Sequence, residues 1–216
     1  MSTSVTTASA SVIIRNNELV HDMNNEIKQL FDEAEVRWAQ FRVRPDAPQE
    51  REWVAEYITQ TIELDLGYRD LFMRFMEAND TAAMAELRPL AIVADQAHQD
   101  RLRHLFDQIG WPRISKYGSE TCAQVWNIAV HSDNDIPFLT LVYELMEPLL
   151  TEGEVEAVHF AAIADRIALA EGRKQYWGMF YNLVDGKVVL CPTVDPEGLA
   201  VRRAEMGLGD TQYRRG

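Results

Sequence analysis

The stretch Ala164–Gly178, ADRIALAEGRKQYWG, is where a helical pattern turns into a strand pattern, and its reading decides the fold. Ile163, Ile167 and Ala168 carry the apolar spacing of a helix that Gly172 closes. Gln175, Tyr176 and Trp177 then lead into two β-prone runs, 176–183 and 187–191, that flank Val184-Asp185-Gly186. Asp-Gly supplies the positive φ angles of a tight turn, so the two runs read as a hairpin. Asp165 and Arg166 stand just before this junction, inside an otherwise apolar helix.

Outward from the junction the pattern is helical. Residues 17–41 place Leu19, Met23, Ile27, Leu30, Phe31, Ala34 and Trp38 at helical steps, until Arg44-Pro45-Asp46-Ala47-Pro48 breaks the run. A second helix extends to about Ala78, and Asn79-Asp80-Thr81 caps a third. Pro89 predicts a kink or a fresh start near Arg88 before the pattern continues to Ile109, where Gly110-Trp111-Pro112 ends it. Helices are expected over 119–131 and 136–150, from the cap at Thr151-Glu152-Gly153-Glu154 to Gly172, and over 199–206. The fold class is therefore mainly α: a multi-helix bundle or orthogonal helical domain with one late β-hairpin and a short C-terminal helix. The expected division is a flexible N-terminus over 1–16, long N-terminal helices over 17–88 packing on the domain, the domain itself over 89–208, and a tail over 209–216.

A net charge of −13 argues against a nucleic-acid or anionic-membrane surface, because phosphate binding needs clustered cations. Such cations gather only near the end, at Arg202, Arg203, Arg214 and Arg215. No run of about 18 apolar residues is present, so no membrane-spanning helix is expected. Ser/Thr-rich residues 1–16 lack the basic start and apolar core of a signal peptide. Cys122 and Cys191 lie far apart and form no CxxC pair; a disulfide between them is open but unneeded in a core this size, so a reducing cytoplasm is the default expectation.

Three groups of side chains could carry chemistry. His131 ends a helix beside Ser132-Asp133, where a raised pKa would suit a general acid or base; such a histidine can equally cap the last carbonyls. Asp165 and Arg166 point about 100° apart on their helix, so they cannot pair face to face. In apolar surroundings at least one needs a partner, either a structural ion pair or a substrate anion held by the guanidinium. Asp95 and His98 share one helical face, but two ligands do not make a metal site, and neither HExxH nor Cys/His spacing appears. Nor does a GxSxG, P-loop or GxGxxG motif occur. No metal or nucleotide cofactor is expected.

Asp95, Gly110-Trp111-Pro112, Gly118, Trp126, His131-Ser132-Asp133, Phe138, Asp165-Arg166, Gln175, Gly178, Pro192, Asp195, Arg203 and Gly207-Leu208 follow one another in order. Over residues 90–208 this set resembles a bacterial family of unknown function. That family carries ordered GWP, Gln-His-Ser-Asp, Asp-Arg, Gln-x-Tyr-Gly-Thr-Gln and Arg-x-x-x-Gly-Leu segments. The resemblance implies a mainly α domain with a late hairpin, and no established activity. This chain diverges from the pattern. Val130 stands where Gln precedes the His and Leu139 where Gln follows Phe138, while Trp177, Met179 and Phe180 replace Tyr, Thr and Gln. If these positions line one pocket, its wall is more apolar and suits an aromatic or alkyl ligand; if they are core, they mean only repacking.

The leading functional expectation is a small-molecule enzyme (hydrolase, lyase or cyclase) using acid–base chemistry. Its catalytic groups would be His131, Asp165 and Asp133. Arg166 and Arg203 would hold an anion, and Gln175, Tyr176, Trp177, Asp95 and Trp111 would complete the substrate-binding set. One alternative is a non-catalytic protein-binding molecule, immunity-like or regulatory, whose acidic surface suits a basic partner. Another is a helical iron or haem protein built from Asp95, His98, His131 and His159, although the Glu-x-x-His pairs of di-iron bundles are missing. Surplus apolar periodicity over 17–78 could also support a homo-oligomer.

Overall fold

The computed structural model of the chain describes residues 50–77, 80–184 and 187–210, together with Asn25 and Gln29. The leader over 1–16, the helix expected over 17–41 (those two residues apart), the turn pair Asp185-Gly186 and the tail beyond 210 lie outside the described residues. Seven helices and one hairpin follow among the described residues: α1 (Arg51–Glu77), α2 (Thr81–Ile109), α3 (Ile114–Tyr117), α4 (Ser119–Val130), α5 (Ile136–Leu150), α6 (Ala157–Ala170), β1 (Tyr181–Val184), β2 (Lys187–Leu190) and α7 (Leu199–Glu205). The architecture is mainly α with a late antiparallel hairpin and a short closing helix, as the pattern predicts. No helix among the described residues is long and apolar enough to cross a membrane.

The chain divides into two compact units, and α1 and α2 contribute to both. In one unit, Gln60–Ala97, Phe75 packs with Ala83 and Leu87, and Met84 and Leu90 lie against them. Asp80 caps α2 by accepting from the Ala83 amide at 3.0 Å. Pro89 sits inside α2 without ending it, so no fresh start occurs near Arg88. Leu87 and Ala94, seven residues apart and both buried, keep the stretches either side of the proline on one apolar face.

The other unit contains 46–59 and 98–216 and carries the larger core. Tyr57 stacks on Trp53 and donates its hydroxyl to the Arg101 carbonyl at 2.9 Å, tying the start of α1 to α2. α5 and α6 pack on each other and α4 packs on both. Phe138, fully buried in α5, stacks on Phe106, and truncating such a ring to alanine typically costs about 3–5 kcal/mol. Asp135 caps α5, its carboxylate accepting from the Phe138 amide at 2.9 Å. One element escaped the sequence reading: α3 is a single turn after Trp111-Pro112, too short to show periodicity.

β1 and β2 pair in the register Tyr181↔Leu190, Asn182↔Val189, Leu183↔Val188 and Val184↔Lys187. β2 lies inside the run that the sequence marked, and β1 starts inside its run and extends one residue past it, to Val184. Residues 176–180 instead form an irregular loop, and Gln175 bridges Thr193 in a parallel sense. That loop, between α6 and the hairpin, is the part of the fold that its polar residues organise.

Candidate functional site

α6 delivers Asp165 into the 176–179 loop with no solvent exposure. Its Oδ1 accepts from the amides of Tyr176 at 2.6 Å and Trp177 at 3.1 Å, and its Oδ2 from those of Trp177 and Met179, both at 3.1 Å. Burial pushes the carboxyl above its ordinary range, and the main-chain donors pull against that rise. Gly178, buried at φ +68°, lets the chain curl so that successive N–H groups converge on one carboxylate. The side chain read as a buried acid in need of a partner has found several, all of them backbone.

Gln175, also fully buried, completes the loop from within. Its Nε2 donates to the carbonyls of Cys191 at 2.8 Å and Phe180 at 3.0 Å, and its Oε1 accepts from the Phe180 amide at 2.9 Å. Its own backbone pairs with Pro192 and Val194. The amide therefore acts as a short piece of strand linking the loop to the segment after β2.

α7 grips the carbonyl side. Arg203 Nη1 donates to Trp177 O at 2.6 Å and Nε to Gly209 O at 2.7 Å, while Nη1 also reaches Met179 Sδ at 3.5 Å. Arg202 donates to the carbonyls of Tyr176, Val194 and Asp195, and its guanidinium lies 4.7 Å from the Tyr176 ring centre. Asp195 takes positive φ at +42° and pairs with Arg202 at 3.2 Å. Arg202 was missed as a site residue; its only signal was a pair of adjacent cations in a seven-residue helix.

Arg166 points elsewhere. Its guanidinium carbon lies 3.9 Å from the Phe180 ring centre, and Nη1 is 3.6 Å from Asp133 Oδ2. Two segments more than thirty residues apart, the His131-Ser132-Asp133 turn and the Asp165-Arg166 helix, thus meet at one guanidinium. His131 is the C-cap of α4 and is partly exposed, and the amide of the next residue, Ser132, donates to Ala129 O at 3.1 Å. Around this turn Arg103 pairs with Asp135 at 2.9 Å and Gln99 donates to Asn134 at 3.1 Å, so the turn is anchored on α2.

The remaining candidates make contacts of their own. Trp111 is buried against Phe106, 5.6 Å between ring centres. Asp95 accepts from Arg69 Nη2 at 2.9 Å, and Arg69 Nε also holds Asp65 at 3.0 Å, so a cation already bridges these carboxylates. His159 stacks on Trp126 at 4.3 Å, and burial lowers its pKa. Tyr176 is exposed and meets Trp177 edge-on, and Trp177 meets Phe160 in the same way. Cys122 donates its thiol to Pro112 O at 3.2 Å, and burial pushes it up to about 12, which suits a packed thiol and not a nucleophile.

A helical domain whose irregular loop is fastened by a buried carboxylate, a buried amide and two arginines defines the class. The chain belongs to a family of unknown function, DUF6624, whose profile matches residues 58–215. The match starts within α1, upstream of the 90–208 span expected from the motifs. No curated protein and no solved structure matches the chain.

Proposed function

We propose that this chain is a small-molecule enzyme working by acid–base chemistry, with its site on the face shared by the His131–Asp133 turn, Arg166 and Phe180. The supporting observation is that Arg166 meets both Asp133, at 3.6 Å, and the face of Phe180, at 3.9 Å. A guanidinium held over a ring face is restrained in position while its N–H groups can engage an anionic group. His131 is the proton-transfer group and Asp133 modulates it; Arg166 receives an anion and Phe180 supplies an apolar wall. Asp165, Gln175 and Arg203 serve as positioning residues, since their polar atoms hold the loop that carries Phe180. No cofactor enters this reading, and two free, buried cysteines are consistent with a reducing bacterial cytoplasm.

The test follows His131 by NMR as sodium benzoate is added, in the wild type and in Arg166→Gln. Benzoate should shift the His131 ring signals and move its titration in the wild type, and the Gln variant should bind at least about tenfold more weakly. A His131 titration that ignores benzoate, or equal binding by the variant, would overturn the assignment.

A second reading, a protein-binding molecule or homo-oligomer, draws on the C-terminal half of α1. Leu66, Phe72, Met73 and Met76 there are 50%, 38%, 47% and 44% exposed. Apolar side chains gathered on one helix are a feature of interaction surfaces. Sedimentation of wild type and Met73→Glu separates the cases: a concentration-dependent oligomer that the charge dissolves supports this reading, and a monomer in both rejects the homo-oligomer.

A further inference from the structure

Arg203 is 9% exposed, and its hydrogen bonds run to three carbonyl oxygens and a thioether. Among the described residues no carboxylate lies within ion-pair distance of it. Carbonyl dipoles solvate a guanidinium but leave its charge uncompensated, and a buried charge in that state is costly. Nη2 is the least engaged nitrogen: it carries two N–H groups and reaches only Asp210 O, at 3.4 Å.

Beside this side chain runs a groove of about 490 Å³, lined by Arg203 with Pro196, Leu199, Ala200, Ala204 and Leu208, and closed by Gly209 and Asp210. Its floor is the i, i+4 face of α7, and its far wall is the return of the chain after Gly207. The volume falls within the range of small-ligand clefts, and the lining combines one cation with aliphatic walls. We propose that this groove binds a small monocarboxylate with a short apolar tail, its carboxylate on Arg203 Nη2 and its tail between Leu199 and Leu208. The charge balance selects a monoanion: one guanidinium is present, and the surrounding carbonyl oxygens of Trp177, Gly209 and Asp210 disfavour a phosphate dianion. This site does not use His131, Asp133 or Arg166, and shares with the acid–base reading only Arg203, which there anchors the loop.

The experiment titrates the full-length protein with sodium hexanoate, hexylammonium chloride and inorganic phosphate, following the Leu199 and Leu208 methyl signals by NMR. Hexanoate should shift both methyls with a Kd on the order of 1 mM or tighter, and the cationic analogue and phosphate should not. Ala204→Trp fills the groove without touching the guanidinium contacts and should weaken hexanoate at least about tenfold at an unchanged Tm. Arg203→Lys should weaken it as well, but Arg203 also fastens the loop, so the Trp variant decides. Arg166→Gln should bind hexanoate as the wild type does, which keeps the outcome separate from the acid–base site. Equal shifts from hexanoate and hexylammonium, displacement of hexanoate by phosphate, undiminished binding in the Trp variant, or no methyl shift at 20-fold the expected Kd would each overturn the proposal.

Discussion

Asp165 and Arg203 hold opposite ends of the same residue: the Trp177 amide donates to both Asp165 oxygens at 3.1 Å, and the Trp177 carbonyl accepts from Arg203 Nη1 at 2.6 Å. One side chain comes from α6 and the other from α7, so the loop between them is clamped by opposite charges acting on the two sides of one residue. Asp165→Asn keeps one acceptor but turns an NH₂ toward main-chain donors, and should cost about 3–5 kcal/mol. Arg203→Gln should cost about 1–3 kcal/mol. Because both act on one loop, the double variant should lose less than the two costs combined, with a coupling of about 1 kcal/mol or more. Urea unfolding of the four proteins, followed by tryptophan fluorescence, measures it; strict additivity would mean that the clamp is not shared.

Gln175→Glu is a change of one atom with a large expected effect. The wild-type amide donates to the carbonyls of Phe180 and Cys191, whereas a carboxylate would face both with lone pairs. Loss of two buried bonds and repulsion should cost about 2–4 kcal/mol at neutral pH. The introduced carboxyl has its folded pKa raised, so the lost stability returns as pH falls and vanishes again as pH rises through that pKa. Melts from pH 7 to pH 4 should show the gap to the wild type narrowing; a constant gap would mean that Gln175 acts by shape alone.

The fold was legible because its signals are local. The helical repeat of α5 and α6, the Asp-Gly between β1 and β2, and the capping residues Asp80 and Asp135 each act within a few positions of the feature they set. Pro89 starts no new helix, because burial of Leu87 and Ala94 outweighs the hydrogen bond a proline removes. Around the candidate site the sequence marks polar residues that need partners but not what they touch. Asp165 could be seen to need a partner, yet nothing in the residue types says that backbone amides eleven to fourteen positions on would supply it. The same applies to Arg202, whose carbonyl partners have no side-chain signature. The exchange of Gln for Phe at 180 was visible as a more apolar wall, but its pairing with Arg166 depends on tertiary placement.

His159 should make the protein acid-sensitive. Burial lowers its pKa from the ordinary 6.5, so on acidification the unfolded chain takes up a proton before the folded one does. The stability tied to neutral His159 is therefore fully present above pH 6.5 and falls away as pH drops toward the lowered folded value. His159→Phe keeps a ring on Trp126 and removes the proton site. Compared with the wild type, this variant should gain relative Tm between pH 7.5 and pH 5. Parallel Tm curves would show that the imidazole titrates alike in both states.

Phe180→Gln introduces the residue that the motif resemblance implies at that place, and tests whether the aromatic wall determines ligand choice. It removes the ring under the Arg166 guanidinium, a contact worth about 0.5–2 kcal/mol, while leaving the backbone groups of residue 180 to pair with Gln175. If Arg166 recognises the anion and Phe180 the apolar part, benzoate should weaken by about five- to tenfold in the variant while acetate stays within about twofold. Both ligands can be followed through the His131 ring signals. An equal loss for the two would mean that the ring orients the guanidinium and does not contact ligand, which would make Phe180 a positioning residue in the site rather than its wall.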